Sequence, residues 1–356
     1  MTDTALPDRR CPGERGAAGI AAWYFPTEAS DNRQLERWCT VVGPLVVDSL
    51  PGGAFGPMGA GDPLTLAVWN TDAGAGDLMG FLELELGLAC AGASSTLRPA
   101  ASHFILVLQE ALRRSPALDA VDETWATPPP VAEEDRPGPR LDVIQVARQC
   151  GLALFYAPAA RNGHDTRDGS GEDKGNAILA TVPLTDLVVI ELPFESARRV
   201  VVGTTTRSLA GDALRVLSVH LITTPQAWRV LTTANSARVR QAAALVNVLD
   251  RIERIRGLGN GGRWRGVSTV LAGDFNTWSQ KESALRLLLR NFPDSPRPLM
   301  DRTRGPFPAD HLLLRHHGDA GPAATLIPGS YRRVANRFYS DHNPIVARFR
   351  FGRDTS

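Results

Sequence analysis

An α/β sandwich built round one continuous core is the fold class this sequence predicts, and three observations predict it. Short apolar runs rich in Val, Leu, Ile and Ala recur along the chain, as in Phe104–Leu108, Leu214–Val219 and Val267–Ala272; such runs suit strands buried on both faces. Helical stretches fall between them without a strict strand–helix–strand order, and several adjacent runs read as antiparallel pairs. Run after run also stops on polar residues, so strand ends could share one chemical edge.

The bulk numbers suit one large domain or two small ones. The chain has 356 residues, 43% hydrophobic and 22% charged, enough to bury a sizeable core. A formal net charge of +1 points to neither a polyanion-coating nor an acidic protein. The basic residues are almost all arginine, Lys174 and Lys281 being the only lysines; arginine suits bidentate phosphate contacts. Cys11, Cys39, Cys90 and Cys150 are scattered, with no metal or redox spacing, so free thiols in a reduced compartment are expected. No run is long enough to span a membrane and the first residues lack a signal-peptide core, so the expected location is cytoplasmic.

Residues 1–60 read as a partly loose N-terminal extension, with a short helix and a strand between Asn32 and Val47 and a Gly/Pro loop over 51–63. That loop lacks the Lys-Ser/Thr of a phosphate-binding loop. The domain proper is expected over 61–352. Leu64–Trp69 is a strand ending in Asn70, and a helix follows from Asp77 to about Cys90. The strand His103–Leu108 delivers Gln109 and Glu110; a glutamate there could equally open a helix. Residues 115–140 are polar and proline-rich and read as a mobile loop at the rim of any site near Glu110. Leu141–Cys150 is helical with Gly151 as its stop, Leu152–Tyr156 is a strand, and 161–174 reads as a second polar loop.

Asn176 stands at the start of the strand Ala177–Val182, and Leu187–Leu192 and Arg199–Thr205 read as further antiparallel strands. Leu214–Val219 ends in His220, which by itself reads as a structural hydrogen-bonder. Ala234–Ile255 has helical spacing, its arginines reading as a solvated face. Val267–Ala272 stops at Gly273 and presents Asp274 and Asn276; positions two apart on an extended strand end point the same way. The bland reading of that pair is an Asx turn. A helix over Lys281–Asn291, a strand from Asp310, Ser340-Asp341-His342-Asn343-Pro344 and a last strand, Ile345–Phe351, complete the chain. His316-His317 reads as a surface feature.

The residues that strand ends would gather are Asn70, Glu110, Asn176, His220, Asp274, Asn276, Asp310, Asp341 and His342. They include carboxylates for a hard cation, amides for anionic oxygens and two histidines for proton transfer, but no serine or cysteine nucleophile. In order, Trp69-Asn70, Gln109-Glu110, Gly175-Asn176-Ala177, Ser218-Val219-His220-Leu221, Gly273-Asp274-Phe275-Asn276, Asp310 and Ser340-Asp341-His342 resemble the motifs of the endonuclease/exonuclease/phosphatase superfamily. Its members include DNase I, apurinic endonucleases, inositol polyphosphate 5-phosphatases and bacterial sphingomyelinases.

That resemblance covers about residues 64 to 351 and implies a four-layer αββα, DNase I-like sandwich with Mg2+-dependent phosphoester hydrolysis, Mn2+ being a substitute ion. It implies Glu110 as principal metal ligand, with Asn70 and Asp341 in support. Asp274 would orient or deprotonate water, Asn176 and Asn276 would hold phosphoryl oxygens, and His342 would be oriented by Asp310. His220 resembles a second histidine of the DNase I and sphingomyelinase branches. The substrate expected is a nucleic-acid phosphodiester, because Arg332, Arg333 and Arg337 interleave with Tyr331, Phe338 and Tyr339 just before His342. The alternatives are a phosphatase or phospholipid phosphodiesterase acting on inositol phosphates or sphingomyelin-like lipids, and a catalytically silent binding module. No obligate protein partner is evident.

Overall fold

The computed structural model describes residues 21–39, 41–49, 58–59, 61–90, 103–116, 118, 140–164, 170–223, 235–259, 267–317 and 322–352. The expected loop over 115–140 and the Gly/Pro loop over 51–63 lie largely outside them. Two sheets face each other. One has six strands, in spatial order β1 (Ala22–Tyr24), β7 (Thr185–Glu191), β8 (Val200–Arg207), β9 (Ala213–His220), β10 (Val267–Asp274) and β11 (Asp310–His317). The other runs β12 (Ala324–Leu326), β14 (Ile345–Phe351), β3 (Pro63–Asn70), β4 (Phe104–Ser115), β6 (Gly171–Ala180), β5 (Ala153–His164) and β2 (Val46–Asp48), with β13 (Arg332–Arg333) paired to β14.

The continuous apolar runs are explained by burial on both faces. Leu66, Val68, Ile105 and Val107 of one sheet meet Val202, Val216, Val270 and Leu312 of the other in a central core. Their neighbours in sequence point the opposite way, as a pleated strand requires. Ala67, Trp69, Leu106 and Leu108 pack beneath α2 (Leu78–Leu84) and α3 (Val143–Gln149). Val201, Leu217, Leu271 and Leu313 pack beneath α4 (Asn235–Gly259) and α5 (Ser283–Asn291). The result is the expected αββα sandwich. Asp77 caps α2 by accepting from Gly80 N at 2.9 Å, and Asp142 caps α3 by accepting from Ile144 N and Gln145 N at 2.8 Å each. The elements of residues 22–48 do not stand apart: β1 pairs with β7 and β2 with β5, each on a sheet edge, while α1 (Ala29–Cys39) lies between them in sequence.

Several expectations are corrected. Strand β4 does not stop at Glu110 but continues to Ser115 through a bulge between Leu108 and Ala111. The polar stretch 161–174 is not a loop, since β5 and β6 run through most of it, with residues 165–169 outside the description. Glu172 and Asp173 within it are buried partners: Arg113 is bidentate on Asp173, Tyr156 Oη donates to Asp173 Oδ1 at 2.7 Å, and Arg114 Nε and Arg140 Nη2 reach Glu172 at 2.8 and 2.6 Å. Paired buried charges look like loop in a sequence because their partners are distant. The arginines of α4 are not all solvated either; Arg238 is fully buried on Glu282, and Arg240 binds Asp31 and Glu195. His316 and His317 are half-buried and bond the hydroxyls of Ser268 and Thr269.

The free-thiol expectation also fails. Cys90, beyond α2, is disulfide-bonded to Cys150, the C-cap of α3. Cys39 is disulfide-bonded too, and no cysteine is free among the described residues. A bridge spanning 60 residues leaves no spacing signature.

Candidate active site

Register places the site. Three neighbouring strands end in line, because Asp274 of β10 is opposite His220 of β9 on one side and Asp310 of β11 on the other. In the facing sheet Asn70 of β3 is opposite Gln109 of β4, which brings Glu110 to the same edge. Gly273 makes the close approach possible. Its φ is +147°, and a Cβ there would lie 1.9 Å from Val219 O. Glu110 sits at φ +50°, a left-handed conformation that is costly for a residue with a long side chain. Thr71 Oγ1 holds that turn by donating to the carbonyls of Gln109 and Glu110 at 3.2 and 3.0 Å.

Asp274 is fully buried and held from two directions. Asn70 Nδ2 donates to its Oδ2 at 2.9 Å, and the backbone N of Asn276 donates to its Oδ1 at 2.7 Å. Asn70 Oδ1 in turn accepts from Asp72 N at 3.0 Å. His342 is buried, with Nδ1 2.7 Å from Asp310 Oδ2. Its Nε2 has no hydrogen-bond partner among the described residues and lies 3.7 Å from Asp274 Oδ2 and 3.6 Å from Asp341 Oδ1. Burial opposes a charge on His342, but Asp310, Asp274 and Asp341 outweigh it and raise its pKa to about 10. The imidazole is therefore cationic at neutral pH, with Nδ1–H on Asp310 and Nε2–H aimed into the site.

His220 is the opposite case. Burial, reinforced by Arg199, lowers its pKa to about 3, so it stays neutral although its Nε2 is 3.5 Å from Asp274 and 4.0 Å from Glu110. Two histidines on one edge thus hold different protonation states, a separation that suits acid and base roles.

Burial also works against a charged Glu110, but Lys174 above all, then His220 and Arg199, hold the carboxyl well below the usual range. Lys174 Nζ donates to Glu110 Oε2 at 2.6 Å. Asn176 lines the same cleft, yet its amide donates to the carbonyls of Val200 and Ser218 at 2.9 and 3.0 Å. Asn276 Nδ2 donates to Leu221 O at 3.0 Å. Asp341 is 42% exposed and tied to Arg304, whose Nε and Nη2 both lie 2.8 Å from Asp341 Oδ2.

The geometry thus gathers Asn70, Glu110, Asn176, His220, Asp274, Asn276, Asp310 and His342, and sets Asp341 at the rim. Sequence reasoning missed Lys174 and Arg199, which line the cleft with Glu110, Asn176 and His220; the rarity of lysine in this chain was a usable signal for the first. Asp274, Asp310 and His342 could by distance alone hold a metal ion. In the structure Asp310 is engaged with His342, and Asp274 with Asn70 and the backbone of Asn276. Glu110, whose Oε2 accepts from Lys174 Nζ at 2.6 Å, is a further carboxylate of the kind that suits a hard divalent cation.

The "Endonuclease/Exonuclease/phosphatase family" model matches residues 67–342. Nothing matches among curated protein sequences. Solved structures that resemble the chain include an endonuclease/exonuclease/phosphatase from Beutenbergia cavernae, at 17% identity and TM-score 0.47 over 82% of this chain and 72% of that one. The human Nocturnin catalytic domain with bound sulfate matches at 16% and 0.47 over 86% and 98%. Sphingomyelinase C from Streptomyces griseocarneus matches at 15% and 0.41 over 80% and 98%.

Proposed function

Because the chain belongs to the endonuclease/exonuclease/phosphatase family, we propose that it is a hydrolase that cleaves phosphoesters by in-line attack of water, with a divalent cation, Mg2+, at Glu110. The observation that carries this reading is the unpartnered Nε2 of His342, backed by Asp310 and aimed at the buried, doubly held Asp274. A bound cation would supply charge neutralisation on the phosphoryl oxygens. Glu110 would be its principal ligand, with Asn70 and the rim carboxylate Asp341 in support. Asp274 orients the attacking water and takes its proton. His342 gives its Nε2 proton to the leaving oxygen, and Asp310 keeps the imidazole charged and in position. Neutral His220 lies 4.0 Å from Glu110 and 3.5 Å from Asp274 and helps to position both carboxylates.

The nucleic-acid reading draws on the arginine and aromatic run before His342, and the contacts of that run narrow its support. Arg332 pairs with Glu85, Arg333 donates to Asn343 Oδ1, Tyr331 Oη accepts from Met300 N, and Phe338 is buried against Trp69 and Phe81. Arg337 and Tyr339 remain exposed beside the site. Two groups can hold a nucleotide or the end of a strand, less readily a long duplex. No described helix is long and apolar enough to cross a membrane. The disulfides favour an oxidising compartment over the cytoplasm.

The test is nicking of supercoiled plasmid with Mg2+, run beside Asp274→Asn and followed by a panel of small phosphoesters. Cleavage by the wild type and not by the variant supports the reading. Equal activity of the two on every substrate overturns it.

A further inference from the structure

Resting on the phosphoester reading above, we propose that Arg199 and Lys174 form an anion-binding corner that selects a terminal, dianionic phosphate, so that the preferred substrates are phosphomonoesters. The two cations face one cleft from different sheets. Lys174 comes from β6, and Arg199 from the residue just before β8. Between them lie Glu110, Asn176 and His220.

Of the two amides expected to hold phosphoryl oxygens, Asn176 is already spent. Both hydrogens of the Asn176 amide go to backbone carbonyls, and carbonyls only accept, so the amide cannot be turned round. Arg199 is the reverse case: its Nε is buried and has no hydrogen-bond partner among the described residues. Lys174 uses one bond, to Glu110 Oε2, and an ammonium has two more hydrogens to give. A buried guanidinium donor without a partner is costly unless a ligand supplies the acceptor. An arginine fork matches two phosphate oxygens at once.

The number of acceptors then decides the class. A diester offers two non-bridging oxygens and one negative charge. A monoester dianion offers three and two charges, enough for Arg199, Lys174 and the site's other cations together. Ala159, Ala160 and Gly175, which carry small side chains or none, complete the lining of the cleft. Gly175 admits no side chain, since a Cβ there would lie 2.0 Å from Ala157 O.

The reaction needs only water. Its oxygen bonds to phosphorus as the bond from phosphorus to the ester oxygen breaks. That oxygen leaves with the electron pair and takes the His342 proton, and Asp274 takes the proton of the water. The products are an alcohol and inorganic phosphate.

The experiment uses the full chain with Mg2+ and compares p-nitrophenyl phosphate with bis(p-nitrophenyl) phosphate for wild type, Arg199→Gln, Arg199→Lys and Lys174→Gln. Binding of inorganic phosphate to the same proteins is read by calorimetry. The expected result is kcat/KM at least tenfold higher for the monoester in wild type. Arg199→Gln should lower both activities while the ratio falls about 10- to 100-fold, and Arg199→Lys, which keeps the charge, should recover part of it. A wild type that prefers the diester, or an Arg199→Gln that lowers both substrates equally, overturns the proposal. If neither ester is cleaved, phosphate binding decides the proposal independently of the hydrolase reading. A Kd weakened at least tenfold in both Arg199→Gln and Lys174→Gln supports the corner, and unchanged or undetectable binding in wild type overturns it.

Discussion

Asn70 and Asp274 stand 204 residues apart in sequence and belong to different sheets, yet Asn70 Nδ2 donates to Asp274 Oδ2 at 2.9 Å. This bond joins the site edges of the two sheets through the group assigned to water. Asn70→Ala should leave Asp274 buried with one donor fewer, costing about 1–3 kcal/mol. Urea unfolding should show the loss, and activity should fall further than stability alone explains. An Asn70→Ala protein with wild-type stability and turnover would mean that the bond is incidental.

His342 makes the pH dependence specific. Its folded pKa, about 10, lies above the ordinary histidine value of 6.5, so the charged pair with Asp310 stabilises the fold fully below about pH 6.5. That stability is lost as pH rises through 10. Activity that depends on the His342 proton should fall over the same alkaline window. His342→Ala should lower kcat by about 10²- to 10⁴-fold while the protein still folds. In Asp310→Asn the alkaline limb of the rate profile should move to lower pH; an unmoved limb would assign it to another group.

Glu110 tests the metal. In Glu110→Gln, calorimetry should show weakened Mg2+ binding, and activity should be abolished or need far more cation. Wild-type activity that persists in EDTA would remove the metal from the mechanism.

How much of this was legible in the sequence depends on where each residue's partners lie. Asn70, His220 and Asp274 close strands buried on both faces and Asp310 opens one, positions where a polar residue is conspicuous. Sandwich layering followed from the same runs. Asp173 has the look of a polar loop in the sequence because Arg113 and Tyr156, its buried partners, come from other strands. Lys174 and Arg199 were hidden for the same reason, as ordinary charges in polar stretches that become functional candidates only when two sheets face one another. Asp341 was read as a supporting metal ligand from the Ser340-Asp341-His342 motif, and its side chain meets Arg304 through Oδ2 while Oδ1 lies 3.6 Å from His342 Nε2.

His220 should produce the acid limb of stability. Its folded pKa of about 3 lies below the ordinary 6.5, so the neutral buried ring contributes stability that is present above about pH 6.5 and lost as pH falls toward 3. His220→Asn should flatten that part of the curve in urea unfolding measured from pH 7 to 4. A variant that keeps the full acid dependence would assign it to the carboxylates instead.

Gly273 gives the sharpest steric test. Its φ of +147° and the 1.9 Å approach of Val219 O leave no place for a methyl group, and the obstacle is backbone that cannot swing away. Gly273→Ala must therefore push β10 off β9 where His220 and Asp274 lie opposite each other. The expected cost is at least about 1–3 kcal/mol from backbone strain alone, with the clash adding to it. Activity should fall even in the fraction that folds, because the separation of His220 from Asp274 would change. A soluble, fully active Gly273→Ala protein would show that β9 and β10 can part without loss, and that the close approach does not set the site.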